Sequence, residues 1–369
     1  MKIEFIKDKL QKAVNQAERS VGKNLSLPIL SNIILETENK KLIVKSTNLE
    51  IGVEIEVAAK IEGDLKVAVN PSLLNNLLQN LPNNEKIEIN KEEDLFIINT
   101  NKGQVNLKTQ TTEDFPIIPK VTSDKVINIS IKNFIEGIKS VAYAAALSDI
   151  KPEIASVYLY SEDQKLFFVS TDGFRLSEKF IILDNFSPKE LINLIIPLKN
   201  ALEINRILSD QPTDGELVIM TDNNQISIMS DGLHITSRII DGVYPDYRQV
   251  MPKDLKTRIE LNKNDFINTL KLAGVFSDKF NRLTIDVNKE IVTLSTKNNE
   301  TGESILKITP RAYSGEGLSL TISSRYLLDA LQSIDDEYII LGFNESNKPL
   351  YLKGFDDVTF QGLVMPLRT

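Results

Sequence analysis

Ile3-Glu4-Phe5-Ile6-Lys7-Asp8-Lys9-Leu10, continued by the apolar Val14 and Ala17, carries a change of period within a few residues. Ile3 and Phe5 alternate with Glu4 as in a strand whose one face is buried. Lys7, Asp8 and Lys9 then open a helix in which Leu10, Val14 and Ala17 share one face. The same layout returns at Ile127-Asn128-Ile129 with Phe134, Ile138 and Val141. It returns again at Ile259-Glu260-Leu261 with Phe266, Leu270 and Ala273. The sets superpose without gaps, so the chain is an internal repeat with a period of about 125 residues.

Working outward, each copy carries a hairpin. The three are Ile33–Thr37 with Leu42–Val44, Val157–Tyr160 with Leu166–Val169, and Leu283–Val287 with Ile291–Leu294. Each is a pair of β-rich runs around a polar turn. A second helix follows, with apolar positions Leu74, Leu77, Leu78 and Leu81, then Ala201, Ile204 and Leu208, then Leu327, Ala330, Leu331 and Ile334. Its starts at Asn70-Pro71, Pro197 and Ser323-Ser324 suit a helix N-terminus. Another strand pair closes each copy, as in Lys86–Ile89 with Leu95–Ile98 and Leu217–Ile219 with Ile226–Ile228. The plan is β-α-β-β twice per copy, an α+β domain with two helices on antiparallel sheets. The domains run over 1–120, 125–250 and 256–369, with polar, proline-marked linkers at 119–124 and 251–255.

The 369 residues are ordinary globular material, 41% apolar and 25% charged, with no cysteine and therefore no disulfide framework or thiolate zinc site. The run Met1–Asp8 is charged where a secretory signal would be apolar, and no stretch is long and apolar enough to span a bilayer. A soluble cytoplasmic protein with no membrane partner is the expectation. A net charge of −8 argues against nucleic-acid binding only if the charges are spread evenly; basic residues gathered on one surface reverse the inference.

Five motifs in order carry a family resemblance. They are Leu27-Pro28-Ile29-Leu30, Asp114-Phe115-Pro116, Thr171-Asp172-Gly173-Phe174-Arg175-Leu176, Asp241-Gly242-Val243-Tyr244-Pro245-Asp246-Tyr247-Arg248 and Val364-Met365-Pro366-Leu367-Arg368. Set on a threefold repeat, they resemble the bacterial DNA polymerase III beta subunit, the sliding clamp, over the full length. The resemblance implies three clamp-fold domains forming half of a closed ring. Two chains join head to tail, helices line the hole and sheets form the rim. It implies a polymerase processivity factor without catalysis or cofactor. The expected partners are double-stranded DNA, the replicative polymerase catalytic subunit, clamp-loader subunits, other clamp-binding repair and replication proteins, and a second copy of itself.

The resemblance also places residues. Sequence-independent DNA binding needs cations facing phosphates. The candidates are Lys9, Lys12, Lys139, Lys199, Arg206 and Lys271 on helices and Lys23, Asn24 and Lys151 in loops. The bland alternative for each lysine is a solvated helix face. The family carries basic residues where this chain has Asn24 and Leu198, and neighbouring Lys23 and Lys199 are the expected compensation. A partner-peptide pocket is implied at Ile154, Thr171, Gly173, Phe174, Arg175, Leu176, Pro245, Arg248, Val250, Leu363 and Met365, with Ser323 and Tyr326 at its edge. Apolar walls and an adaptable methionine suit several peptides, and Arg175 and Arg248 would hold carbonyls or a carboxylate. Many family members have His where this chain has Phe174. The dimer seam is implied at an edge strand holding Lys102, Gln104, Val105 and Leu107, facing Glu300 and Glu303 of a second chain.

Enzyme readings find little to rest on. There is no Walker A sequence and no His-Glu-x-x-His, and the one histidine, His234, sits in an alternating strand-like stretch. The acidic pairs Asp335-Asp336 and Asp356-Asp357 leave one alternative, a carboxylate-dependent hydrolase on a repeated β-rich scaffold.

Overall fold

The computed structural model describes residues 2–22, 26–123, 126–183 and 192–367. The first module contains β1 (Lys2–Ile6), α1 (Lys7–Glu18), β2 (Ile33–Glu38), β3 (Lys41–Thr47), β4 (Ile51–Val57), β5 (Ala59–Glu62), β6 (Lys66–Val69), α2 (Pro71–Gln79), β7 (Lys86–Glu92), β8 (Leu95–Thr100) and β9 (Gly103–Lys108). The second contains β10 (Val126–Ser130), α3 (Ile131–Val141), β11 (Ser156–Glu162), β12 (Lys165–Thr171), β13 (Arg175–Ile182), β14 (Asn193–Pro197), α4 (Leu198–Ser209), β15 (Glu216–Thr221), β16 (Gln225–Ser230) and β17 (Leu233–Arg238). The third contains β18 (Thr257–Asn262), α5 (Lys263–Gly274), β19 (Arg282–Val287), β20 (Val292–Asn298), β21 (Gly302–Ile308), β22 (Ala312–Ser314), β23 (Leu318–Ser323), α6 (Ser324–Leu331), β24 (Tyr338–Phe343), β25 (Leu350–Gly354) and β26 (Phe360–Val364).

The strand–helix alternation and all three hairpins stand where the sequence puts them. The half-module plan needs a correction. Each half has three strands after its helix, and the added strand is β4, β9, β13, β17, β21 or β26. These strands end each four-stranded order, β6-β2-β3-β4 and β1-β7-β8-β9 in the first module and their counterparts in the other two. They therefore decide what each sheet can join. β4 pairs with β17 and makes one eight-stranded sheet, with Ile235 opposite Val53 and His234 opposite Glu54. β13 pairs with β26 inside a nine-stranded sheet, with Leu176 opposite Leu363 and Glu178 opposite Gln361. β9 and β21 instead end a five-stranded and a four-stranded sheet.

Because two sheets run across module boundaries, the chain divides into two compact units, both with boundaries inside the middle module. In the unit that holds the first module, α1 packs on β2, β3, β4 and α2 and buries Leu10, Ala13, Val14 and Ala17. The Asn70 side chain accepts from the Leu73 amide at 3.0 Å, and Pro71 starts α2 where no amide donor is needed. In the unit that holds the third module, Phe266, Leu270, Leu327 and Leu331 of α5 and α6 form one core with Ile259, Ile285, Leu294 and Leu341. Ser323 takes the N-cap position of α6 without a side-chain cap, and the Ser324 hydroxyl donates to the Asn281 carbonyl at 3.2 Å. Leu81 and Ile334, read as helical, fall just past the helix ends, and Ile334 is buried there all the same.

Each internal seam carries a carboxylate bonded to the residue directly opposite. Glu54 meets His234 Nδ1 at 3.1 Å, and Glu178 accepts from Gln361 Nε2 at 2.5 Å. At the second seam Lys179 is 5% exposed and pairs with Glu136 at 2.8 Å and Asp357 at 3.1 Å. Burial alone would lower the lysine, but the two carboxylates outweigh it and hold the group above the usual lysine range. Burial likewise works against ionised Asp357, yet bonds from Thr359 and Lys179 hold its carboxyl below the usual value of 3.8. A depressed carboxyl adds stability above its unfolded pKa, and that contribution is lost as pH falls through the folded value. A raised lysine keeps its contribution until pH climbs through its own folded value. Lys179→Met therefore lowers stability at neutral pH by about 2 kcal/mol, the scale of hydrogen bonds to charged groups. The gap from the parent narrows as pH falls below 3.8, the ordinary aspartate value, and on through the lower pH at which folded Asp357 protonates. Thermal melts between pH 7 and pH 3 check this, and a gap independent of pH refutes it.

Candidate functional site

The turn between β12 and β13 is wired by its own side chains. Asp172 Oδ1 accepts from the amides of Phe174 at 2.8 Å and Arg175 at 3.0 Å. The Thr171 hydroxyl accepts from the Gly173 amide at 3.1 Å and donates to the Arg175 carbonyl at 2.6 Å. Gly173 supplies the left-handed conformation at φ +87°, where a side chain would be strained. The turn presents Phe174 60% exposed, and the Phe174 carbonyl accepts from the Met365 amide at 2.8 Å. Leu176 and Leu363 are buried in one cluster with Val169, Tyr160, Tyr244 and Tyr247. Tyr244 stacks on Tyr158 at 4.5 Å.

Thr171, Gly173, Phe174, Arg175, Leu176, Tyr326, Leu363 and Met365 thus share one neighbourhood. Ser323 precedes α6 one turn before Tyr326. Pro245 and Val250 are exposed on the segment that buries Tyr247. Ile154 lies half-buried in a turn whose Ile154 amide bonds the Lys151 carbonyl at 3.2 Å. Both arginines are already engaged. Arg175 Nε meets Asp172 at 2.9 Å, its Nη1 meets Asp329 at 2.7 Å, and its guanidinium lies 4.5 Å from the Tyr326 ring centre. Arg248 sits at the other end of β12, bonded to Glu162 and to the Tyr160 hydroxyl at 2.7 Å, above Phe167. Bonds from Arg248 hold the Glu162 carboxyl below its usual range. Burial, then the Glu178 carboxylate, pushes the Tyr247 hydroxyl far above the tyrosine range, and it donates to Glu178 as a neutral group.

The cationic candidates Lys9, Lys12, Lys139, Lys199, Arg206, Lys271 and Lys151 are all exposed. Lys199 pairs with Asp149 at 2.9 Å and Arg206 with Glu203 at 2.6 Å. Lys23 and Asn24 lie outside the described residues. Sequence reading passed over Arg325, exposed in the first turn of α6. The second helix of the first module, α2, has no lysine or arginine and exposes Ser72, Asn76 and Gln79 instead.

Lys102, Gln104, Val105 and Leu107 lie on β9 or the turn before it; Gln104 is exposed, and Val105 and Leu107 are half-buried. Glu300 and Glu303 are exposed at the start of β21. Beside them the structure adds an apolar surface that the sequence reading lacked. Ile305 on β21 is 64% exposed, and Leu272 and Val275 near the end of α5, which packs on β21, are 56% and 67% exposed. Exposed Leu272 lies next to buried Ala273 and so could have been found from helical phase alone.

The carboxylates of the hydrolase alternative do structural work. Asp336 Oδ2 accepts from the amides of Asp356 at 2.7 Å and Asp357 at 2.8 Å, and Asp357 faces Lys179. His234 is a cross-strand partner of Glu54.

The comparisons agree with this architecture. The family model for the DNA polymerase III beta subunit N-terminal domain matches residues 1–119, that for the central domain 128–246, and that for the C-terminal domain 248–368. The beta sliding clamp of Staphylococcus epidermidis is 25% identical over 366 residues, 96% of each chain. A sliding clamp from Pseudomonas aeruginosa crystallised with griselimycin matches with a TM-score of 0.94 and 23% identity over 100% of both chains. The beta subunit from Thermotoga maritima gives 0.93 and 22% over 100% of this chain and 99% of that one. With all three family domains matched in order along nearly its whole length, the chain belongs to the DNA polymerase III beta subunit family, the bacterial sliding clamps that serve as polymerase processivity factors.

Proposed function

We propose that two copies of this chain close head to tail into a ring around duplex DNA, sliding without reading sequence and tethering a polymerase in the cytoplasm. The carrying observation is the strand bookkeeping. Inside the chain, β17 joins β4 and β26 joins β13, each time the last strand of a second half meeting the last strand of a first half. β9 and β21 are the remaining strands of those two kinds, and each ends its sheet. Pairing β9 of one copy with β21 of the other removes two open edges and extends the same rule. Lys102 would face Glu300 or Glu303, with Gln104, Val105 and Leu107 along the seam and Ile305, Leu272 and Val275 supplying the apolar area. Domains at 1–120, 125–250 and 256–369 would then each span a third of a half-ring.

The exposed cations of the helices would hold phosphates, and their partial pairing with acids keeps the grip weak enough to slide. Polymerase, clamp-loader and repair proteins would each insert a short apolar peptide beside Phe174 and Met365, over Leu176 and Leu363, with Ile154, Pro245, Val250 and the Ser323–Tyr326 edge completing the cleft. The engaged guanidiniums of Arg175 and Arg248 shape that cleft rather than reach for the peptide.

Loaded onto a nicked circle, the protein co-elutes with the DNA and is released when the circle is cut once. Equal release from circles and linear DNA refutes encirclement. Ile305→Asp weakens the dimer at least about tenfold, seen as monomers in sedimentation; an unchanged dimer removes Ile305 from the seam. Met365→Asp abolishes peptide binding and leaves the ring intact, whereas monomers in gel filtration would move Met365 out of the pocket. Leu176, 4% exposed, is the poorer probe because a charge there breaks the core.

A further inference from the structure

We infer that Asp329 of α6 is a positioning residue for partner-peptide binding: it braces Arg175 and so fixes the turn that presents Phe174. The inference rests on the peptide-pocket reading above. Arg175 has a side chain only 11% exposed and is held from three directions. Its Nε meets Asp172 at 2.9 Å within the turn, its Nη1 meets Asp329 at 2.7 Å from 154 residues away, and Tyr326 stacks at 4.5 Å on the same helix as Asp329. A planar guanidinium held by two carboxylates and a ring has little rotational freedom. Asp172, one of those carboxylates, is also the acceptor for the Phe174 and Arg175 amides, so α6 and the turn move together.

The internal repeat supplies the control. The corresponding turn of the first module, after Thr47, uses the same device, with Asn48 Oδ1 accepting from the Glu50 amide at 2.9 Å and the Ile51 amide at 2.8 Å. Ile51 stands where the second module has Arg175, and it is buried in place of being braced. The turn therefore forms without any arginine. What the brace adds is a link between the turn and α6, at the one seam where an exposed aromatic, Phe174, lies against the chain's last strand through Met365.

The full-length dimer is titrated against a fluorescein-labelled synthetic peptide with leucine and phenylalanine side chains between polar residues. Asp329→Asn binds about tenfold more weakly, the loss of one charge-assisted bond. Asp329→Glu recovers most of the affinity. The thermal midpoint of Asp329→Asn stays within about 5 °C of the parent, while amide exchange at Phe174 and Arg175 speeds up at least about tenfold. Met365→Asp is the control on the pocket. Parental affinity in Asp329→Asn with lost binding in Met365→Asp overturns the brace and leaves the pocket standing. Equal affinity in all variants, Met365→Asp included, overturns the pocket reading and this inference with it. A large drop in thermal midpoint with unchanged exchange at the turn makes Asp329 a plain stability residue and also overturns the brace.

Discussion

Everything larger than a module here depends on what happens at the edge of a four-stranded sheet. A strand edge exposes a row of donors and acceptors that must be paired, covered or charged. This chain joins four such edges in two pairs, β4·β17 and β13·β26, and each union is sealed by a carboxylate bonded to the residue opposite. The first seam uses His234 and the second Gln361, so the device is shared while its chemistry differs. Since those unions run across module boundaries, the compact units do not coincide with the repeats. Among the strands that close a half-module, β9 and β21 are left at sheet ends, so the proposed assembly would continue the rule that builds the monomer.

Charge is distributed to match. The net −8 is misleading because so many carboxylates are spent within sheets. Lys45, 12% exposed at its side chain, meets Glu36 at 3.0 Å and Glu54 at 3.6 Å and is also bonded to Glu38. Burial would lower its pKa, but Glu38 and Glu36 prevail and keep it above the ordinary lysine range. Lys41 with Glu56 and Lys60 with Glu62 continue the pattern on neighbouring strands. On α1, Lys7 is buried like the sheet lysines, whereas Lys9 and Lys12 are exposed on the face opposite the stripe of Leu10, Val14 and Ala17. α2 carries amides in place of cations, so under the proposed DNA-facing arrangement the basic surface would be thinner there.

The sequence carried the repeat, the hairpins and the helix stripes because these are signals of period two and period near four within short windows. Leu10, Phe134 and Phe266 are fully buried at equivalent places, as their phase required. The third strand of each half was legible only in part. β4 alternates as Ile51, Val53, Ile55 and Val57, but nothing local says whether its far edge meets solvent or another module. The residues proposed for the pocket came from resemblance, and the bonds that hold them did not. Arg175 and Asp329 are 154 residues apart, Glu54 and His234 180, and Lys179 and Asp357 178, so no short window of sequence contains any of the three pairings. The two arginines read as peptide ligands are held by carboxylates already, a fact that only folding creates.

The seam between the second and third modules differs from its sister in the side chains that its turn holds and exposes. At the first seam, the turn preceding β4 ends in buried Ile51, and the outer strand face carries ion pairs. At the second, the same turn ends in braced Arg175 and leaves Phe174 exposed, and the next residue, Leu176, is buried opposite Leu363. One ancestral turn has thus been used once to bury a side chain and once to display one. Phe174 is one of several large apolar side chains left exposed, Phe280 among them, so what distinguishes it is the bonded turn that holds it and not its exposure alone. The bonded turn and its tie to α6 leave little order still to be imposed, the condition under which the modest apolar contacts of the proposed peptide would give useful affinity.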